Sequence, residues 1–248
     1  MMRALRALAA AFAYFSVLPQ SARAHVGEAP DAYALSWLPF VGAIVGALAG
    51  LCGYGASFAF PGFGGIVAFC ASIGLTGAIH LDGFLDCCDG LFATASPQQR
   101  LAILRDPHHG SFALAGMAML AAAWIWALSA LPPAHLPLVL ATTGALARIG
   151  ALANAWIFPY AREDGMKDAF ALRPSVVIAC AALVFGIALS WTVAPAAIVL
   201  VAVALAAGAG IAWFASRRLG GGITGDVYGA AIVVTEVVLL LGFERLLR

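Results

Sequence analysis

The sequence predicts an all-α fold: a polytopic integral membrane helix bundle of about seven transmembrane helices, arranged largely as hairpins. Three observations predict it. Of 248 residues, 63% are hydrophobic and only 10% are charged, against about 25% charged in an average soluble domain. Three long stretches, 32–81, 107–147 and 174–216, contain no Asp, Glu, Lys or Arg. Each is about twice the roughly 20 residues that one helical span needs, and each is broken near its middle by turn-forming residues. A soluble globular domain, a disordered chain and a disulfide scaffold are excluded. The net charge of +1 gives no electrostatic footprint for a nucleic acid partner.

The spans follow in order. Pro61-Gly62 with Gly64-Gly65 divides the first stretch into helices at about 36–59 and 64–81. Pro132-Pro133 and Pro137 divide the second into 111–131 and 136–158, and the turn from Ser190 to Pro195 divides the third into 175–192 and 195–215. A seventh apolar run, 227–243, is interrupted only by Glu236. That carboxylate must face protein or water rather than lipid; its partner is not readable from the sequence, with an Arg on a neighbouring helix as one candidate.

A hairpin returns the chain to the side it left, so the charged segments 23–31, 82–106, 160–173 and 217–226 share one membrane face. The Lys and Arg of the loops lie there, whereas the three opposite turns hold none. By the positive-inside bias this face is the cytoplasm. At the amino terminus, Arg3 and Arg6, the apolar run Ala7–Leu18 and then Ala22-Arg23-Ala24 imitate a secretory signal peptide. The preferred reading is a retained short segment, interfacial or barely spanning. Cys52, Cys70, Cys87, Cys88 and Cys180 lie mostly in apolar runs without metal-ligand spacing and read as buried thiols. The whole chain, 1–248, reads as one membrane-embedded domain.

The chemistry concentrates in His80-Leu81-Asp82-Gly83-Phe84-Leu85-Asp86-Cys87-Cys88-Asp89-Gly90. Asp82, Asp86 and Asp89 stand at i, i+4 and i+7, one face of a helix. Like charges so spaced repel, and the segment directly follows a membrane span, where carboxylates are costly. Something positive is expected between them. A hard divalent cation suits oxygen ligands, and Mg²⁺ typically takes one or two carboxylates plus substrate phosphates. Asp106 follows Arg100 and Arg105, so four of the twelve acids fall within 25 residues. The plainer alternative is a solvated helix end. A proton or cation pathway is the rival from another class, but the acids gather at one surface and the two halves show no matching interrupted helices.

Two further loops share that face. Tyr160 to Lys167 carries Arg162 and Lys167, with Arg148 one hairpin arm earlier, and Leu219 to Asp226 carries a glycine run, Thr224 and Asp226. Glycines let backbone N–H groups approach phosphate oxygens, and Arg recognises phosphate with two donors. Asp226 stands where the last helix begins, as an N-cap or as a further metal or substrate ligand. The plainer reading takes the arginines as topology anchors and the glycines as a turn. One acidic and two basic loops on one face fit metal-assisted phosphoryl transfer better. His80, His108 and His109 are candidate bases for an attacking hydroxyl, and His80, next to Asp82, is placed to orient it.

The stretch His80-Leu81-Asp82-Gly83 … Asp86 … Asp89-Gly90, followed by Arg100, Leu104-Arg105-Asp106 and Gly110, closely resembles the signature of the cobalamin synthase family, the adenosylcobinamide-GDP ribazoletransferases. Tyr160-Ala161-Arg162-Glu163-Asp164-Gly165, Gly221–Asp226 with Gly229-Ala230-Ala231, and Leu18-Pro19 with the Pro39–Gly46 region resemble its other motifs, so the likeness runs over essentially the whole chain. The resemblance implies a multi-pass enzyme of the cell inner membrane, working in late cobalamin biosynthesis with its site loops facing the cytoplasm. It would join adenosylcobinamide-GDP to α-ribazole or its 5′-phosphate and release GMP. It also implies Mg²⁺, contact with membrane lipid and association with other corrinoid-pathway enzymes. Carried over by position, Asp82, Asp86, Asp89 and Asp106 are the catalytic, metal-binding acids. Arg105, Arg162 and Asp226 contact nucleotide or phosphate groups, with Arg148, Lys167 and Thr224 as further substrate-binding residues.

Two departures stand out. Pro107-His108 replaces the usual Ser and basic residue, and the glycine run is one residue longer. A CDP-alcohol phosphotransferase is the nearest rival enzyme, through Asp86-x-x-Asp89-Gly90. The match fails at Leu91-Phe92-Ala93-Thr94 and at positions 102 and 110, which are not Asp.

Overall fold

A computed structural model describes residues 2–18, 31–162 and 173–248. Eleven α-helices are described: α1 Met2–Phe15, α2 Ala32–Leu35, α3 Leu38–Ala59, α4 Gly64–Leu75, α5 Ile79–Phe92, α6 Pro97–Ile103, α7 Ser111–Ala130, α8 Leu136–Ala153, α9 Val176–Val193, α10 Val199–Leu219 and α11 Gly225–Leu247. Among the described residues, extended chain pairs only at one parallel bridge, Tyr160 with Ile223. The fold is an all-α bundle.

Five elements are long and apolar enough to cross a membrane: Leu38–Ala59, Ser111–Ala130, Pro133–Trp156, Val176–Val193 and Pro195–Leu219. These are five of the seven expected spans. The sixth is altered. The run expected to continue over 64–81 breaks after α4, and α5 leaves at 91° to it. Gly77 and Ala78 both take φ of +59°, and Ala78 N–H donates back to the Ile73 carbonyl at 3.0 Å, closing α4 as a left-handed cap. A non-glycine residue in that conformation costs roughly 1–2 kcal/mol. Hydropathy does not register such a turn, because every residue in it is small or apolar. α5 therefore leaves the line of α4 and crosses the first turns of α11. The seventh run became α11, 23 residues, about 34 Å at 1.5 Å per residue.

α8 and α11 form the centre. α8 is buried at nearly every position from Val139 to Leu152, which small residues make possible. A Cβ on Gly42 or Gly46 of α3 would collide with the backbone of Gly144 or Leu140 of α8, the close approach by which membrane helices associate. Arg148 of α8 donates to Glu236 of α11 at 2.7 Å and to the Gly144 carbonyl at 2.9 Å. The lone acid of the last apolar run is paired with an Arg. Leu51, Phe58, Met119, Val177, Val184 and Trp213 are exposed on the outer surface, as suits contact with lipid tails.

α1 is 14 residues long, about 21 Å, too short to span. It buries Ala7, Ala11 and Phe15 along one stripe, and its end is tied to the α4 bend by Val17 N–H donating to the Leu75 carbonyl at 2.9 Å. The Ala22–Ala24 cleavage pattern lies outside the described residues. All five cysteines are free, but only Cys87 and Cys88 are buried. Cys52, Cys70 and Cys180 lie on the outer surface, so the expectation of buried thiols fails for those three.

Candidate functional site at the mouth of the bundle

α5 crosses the first turns of α11 at contact distance because both helices carry glycine there. A Cβ on Gly83 would stand 2.8 Å from the Asp226 carbonyl oxygen, and one on Gly229 would stand 3.0 Å from that of His80. The crossing sets Asp82 and Asp86 of α5 beside Asp226 of α11. The His109 imidazole enters from the loop before α7. Its Nε2 is 3.9 Å from Asp82 Oδ1 and its Nδ1 is 3.8 Å from Asp86 Oδ1.

Arg162 closes the opposite side. Ala161 N–H donates to the Ile223 carbonyl at 2.9 Å, and Ile223 N–H donates to the Pro159 carbonyl at 3.0 Å. These bonds dock the two loops read as basic and glycine-rich. Gly222 is needed at the join, because a Cβ there would lie 2.8 Å from Ala161 Cα. Its observed role is to let the loops touch. Arg162 Nη2 then donates to Asp226 Oδ2 at 3.0 Å, which also accepts from Thr224 Oγ1 at 3.0 Å.

The electrostatics of this group are unbalanced. The Asp86 carboxyl is pushed up to about 7, first by burial and then by the neighbouring Asp82 and Asp226, with His109 and Arg162 only partly offsetting the rise. Tyr14, from α1, is also raised by burial and by Asp226, so the end of α1 belongs to the same neighbourhood. Sequence reading passed over Tyr14 and Phe15. The available signal was the stripe Ala7, Ala11, Phe15, which aims the end of α1 at the bundle.

The other predicted residues go elsewhere. Asp89 shares the α5 face on paper, yet its carboxylate accepts from Gly110 N–H at 2.6 Å and Ala113 N–H at 3.0 Å. It caps α7, whose first-turn donors have no partner within the helix. Asp106 is exposed and accepts from His108 N–H at 3.0 Å, with His108 Nδ1 2.8 Å away. Those hydrogen bonds hold its carboxyl below the ordinary value, and His108 points into solvent with its side chain 89% exposed. Arg148 sits inside the bundle on Glu236, away from the phosphate-binding mouth where the sequence put it. Buried Arg100 donates to the carbonyls of Gly90, Leu91 and Ala95, fastening α6 beneath α5. Arg105 is exposed beside Asp106, and Lys167 lies outside the described residues. His80 is buried, stacked on Phe15 with ring centroids 5.8 Å apart.

Among the described residues, no three His, Cys, Asp or Glu side chains stand in an arrangement that alone would hold a metal ion. The four-acid set is therefore not assembled. What remains is Asp82 and Asp86 with Asp226 alongside: oxygen donors under mutual repulsion, and few enough to leave coordination positions for phosphate oxygens. Asp226 is engaged by Arg162 and Thr224, so Asp82 and Asp86 would hold a hard cation such as Mg²⁺ only together with phosphate oxygens of a substrate.

The comparisons show the family. A family model described as cobalamin-5-phosphate synthase matches residues 7–244. A protein of Deinococcus radiodurans named adenosylcobinamide-GDP ribazoletransferase is 38% identical over 240 residues, covering 96% of this chain and 85% of the relative. Proteins of the same name are 34% identical in Chlorobium chlorochromatii, with 84% of each chain covered, and 33% identical in Ralstonia pickettii, with 97% of each covered. No solved structure matches. With a match that begins inside α1, ends inside α11 and takes in every loop of the mouth, the chain belongs to the cobalamin-5-phosphate synthase family.

Proposed function

We propose that the protein transfers the adenosylcobinamide phosphate group from adenosylcobinamide-GDP to α-ribazole or α-ribazole 5′-phosphate, releasing GMP, with Mg²⁺ as cofactor. We place it in the cell inner membrane with the mouth facing the cytoplasm. The observation that carries the reading is the convergence of Asp82, Asp86, His109, Arg162 and Asp226 at one end of the bundle, in a chain whose named relatives are ribazoletransferases.

The chemistry balances without any redox partner. A hydroxyl oxygen of the ribazole attacks the phosphorus attached to cobinamide, and the bond from that phosphorus to the oxygen of GMP breaks. The hydroxyl proton goes to His109, the imidazole within the carboxylate group, and the electron pair leaves on the GMP phosphate. Arg162 offers positive charge to the diphosphate from the Asp226 side, and its buried Nε has no hydrogen-bond partner among the described residues. Asp82 and Asp86, with Asp226 alongside, would hold the cation, which when bound neutralises the diphosphate and the departing phosphate. Asp82 and Asp86 flank His109 at 3.9 and 3.8 Å and fix where its imidazole stands.

The test is direct. Protein purified in detergent, given adenosylcobinamide-GDP, α-ribazole and Mg²⁺, is expected to release GMP and form the joined corrinoid. Chelation or Asp82→Asn should abolish both. Folded protein that yields neither product overturns the reading.

A further inference from the structure

A cavity of about 220 Å³ lies directly beneath the carboxylates, between α1, α5, α8 and α11. Asp82 and Asp226 stand at its polar end, and its walls include Tyr14, Phe15, Leu38, Leu152 and Ile232. It is smaller than the roughly 300–1,000 Å³ of a site that holds a whole drug-sized ligand. It therefore fits one ring system better than a nucleotide. Flat aromatic and branched aliphatic walls favour a flat apolar occupant. A second hollow shares Tyr14, Ile79 and Asp82 and continues past Ser16 and Thr76, giving a way in along the bend.

One polar atom in the wall lacks a partner. Among the described residues His80 Nε2 is buried without a hydrogen-bond partner, and His80 lines this cavity as well as the smaller one beside Arg148 and Glu236. A neutral imidazole with its proton on Nε2 has one N–H to donate, and an orphaned buried donor is costly enough to expect a partner. A ligand with a single bare ring nitrogen in an otherwise apolar frame satisfies it. Guanine does not match: it would bring several edge donors and acceptors into a mostly apolar chamber, at a cost for each left unpaired.

Resting on the ribazoletransferase reading above, we propose that this chamber seats the base of the acceptor, a neutral bicyclic benzimidazole, with His80 Nε2 donating to its free ring nitrogen and Tyr14 and Phe15 of α1 walling it in. The ribose then emerges beside Asp82 and His109, where its hydroxyl meets the diphosphate. The short amphipathic α1 is thereby a specificity element, and the guanine of the donor binds outside this cavity.

The experiment separates acceptor from donor. α-Ribazole is titrated, through its own fluorescence, into detergent-purified full-length protein without donor, and steady-state KM is measured for each substrate. Wild type should bind α-ribazole, while Tyr14→Ala and the cavity-filling Leu152→Trp should weaken binding and raise acceptor KM by about tenfold or more, leaving donor KM within twofold. His80→Gln, which keeps an N–H donor, should bind more tightly than His80→Leu. Thermal unfolding of each variant identifies any that fail to fold. Variants that fold and keep wild-type acceptor affinity, or that raise donor KM instead, overturn the proposal. Absence of turnover in wild type given both substrates and Mg²⁺ overturns the function on which it rests.

Discussion

Two groups of charges on neighbouring helices are handled in opposite ways. Inside the bundle, Arg148 and Glu236 meet at 2.7 Å, nearly excluded from solvent. At the mouth, Asp82 and Asp86 stand nearly 4 Å from His109, and Asp86 is raised to about 7 by its neighbours. The interior pair neutralises its own charge, although Arg148 Nε has no hydrogen-bond partner among the described residues. The mouth carries negative charge that the described residues do not fully compensate. A low-dielectric interior penalises any unpaired charge heavily, so incompleteness is tolerated only where substrate and cation arrive from water. Intramembrane charge here is architecture, and interfacial charge is chemistry.

The contrast can be broken from either side, and the largest effect is expected in the interior. Glu236→Leu leaves Arg148 buried without its counter-charge and should destabilise the protein by about 3–5 kcal/mol, read as detergent unfolding. The double change to Leu at both positions should restore most of that loss. A double variant no more stable than Glu236→Leu would mean that the pair has a role besides neutrality. Next, Asp82→Asn should lower kcat by roughly 10²–10³-fold, a magnitude typical of removing one electrostatic stabiliser, while leaving the melting temperature near wild type. Asp89→Ala should do the reverse. It removes the cap of α7 and costs about 1–2 kcal/mol, and its activity should recover in conditions that restore the fold.

A smaller effect sharpens the comparison through pH. The Asp86 carboxyl moves from an ordinary value of 3.8 to about 7 on folding, so the folded chain holds that proton more tightly than the unfolded one. Its contribution to stability is complete below pH 3.8 and is lost as pH rises through 7. Metal-free protein should therefore lose thermal stability between pH 5 and pH 8, Asp86→Asn should lose less, and Mg²⁺ should stabilise wild type more at pH 8 than at pH 5. Least of all, Asp106→Asn should leave the melting temperature unchanged and reduce activity far less than Asp82→Asn. An Asp106 variant as inactive as the Asp82 variant would return Asp106 to the metal set.

Much of this was legible beforehand. The charge-free stretches marked out the hairpins, apart from the bend that ends α4, and the isolation of Glu236 in an apolar run called for a partner within the protein, but that this partner is Arg148 was not legible. The bend at Ala78 was not legible, because a left-handed turn in an apolar run leaves no mark on hydropathy. Asp89 was misplaced for a different reason. Helical spacing assigned it to the face of Asp82 and Asp86, and only the position of α7 showed two orphan N–H groups claiming its carboxylate.

By itself the sequence determined which runs are apolar enough for a membrane and where along the chain the charges gather, because burial of apolar and exclusion of ionised groups depend on composition along the chain. Only the tertiary structure decided which of the clustered acids stay free to act. Hydrogen bonds and glycine-sized contacts between distant segments, Gly83 on α11, Ile223 on Ala161, Asp89 on α7, settle that, and such contacts depend on how the chain folds back on itself.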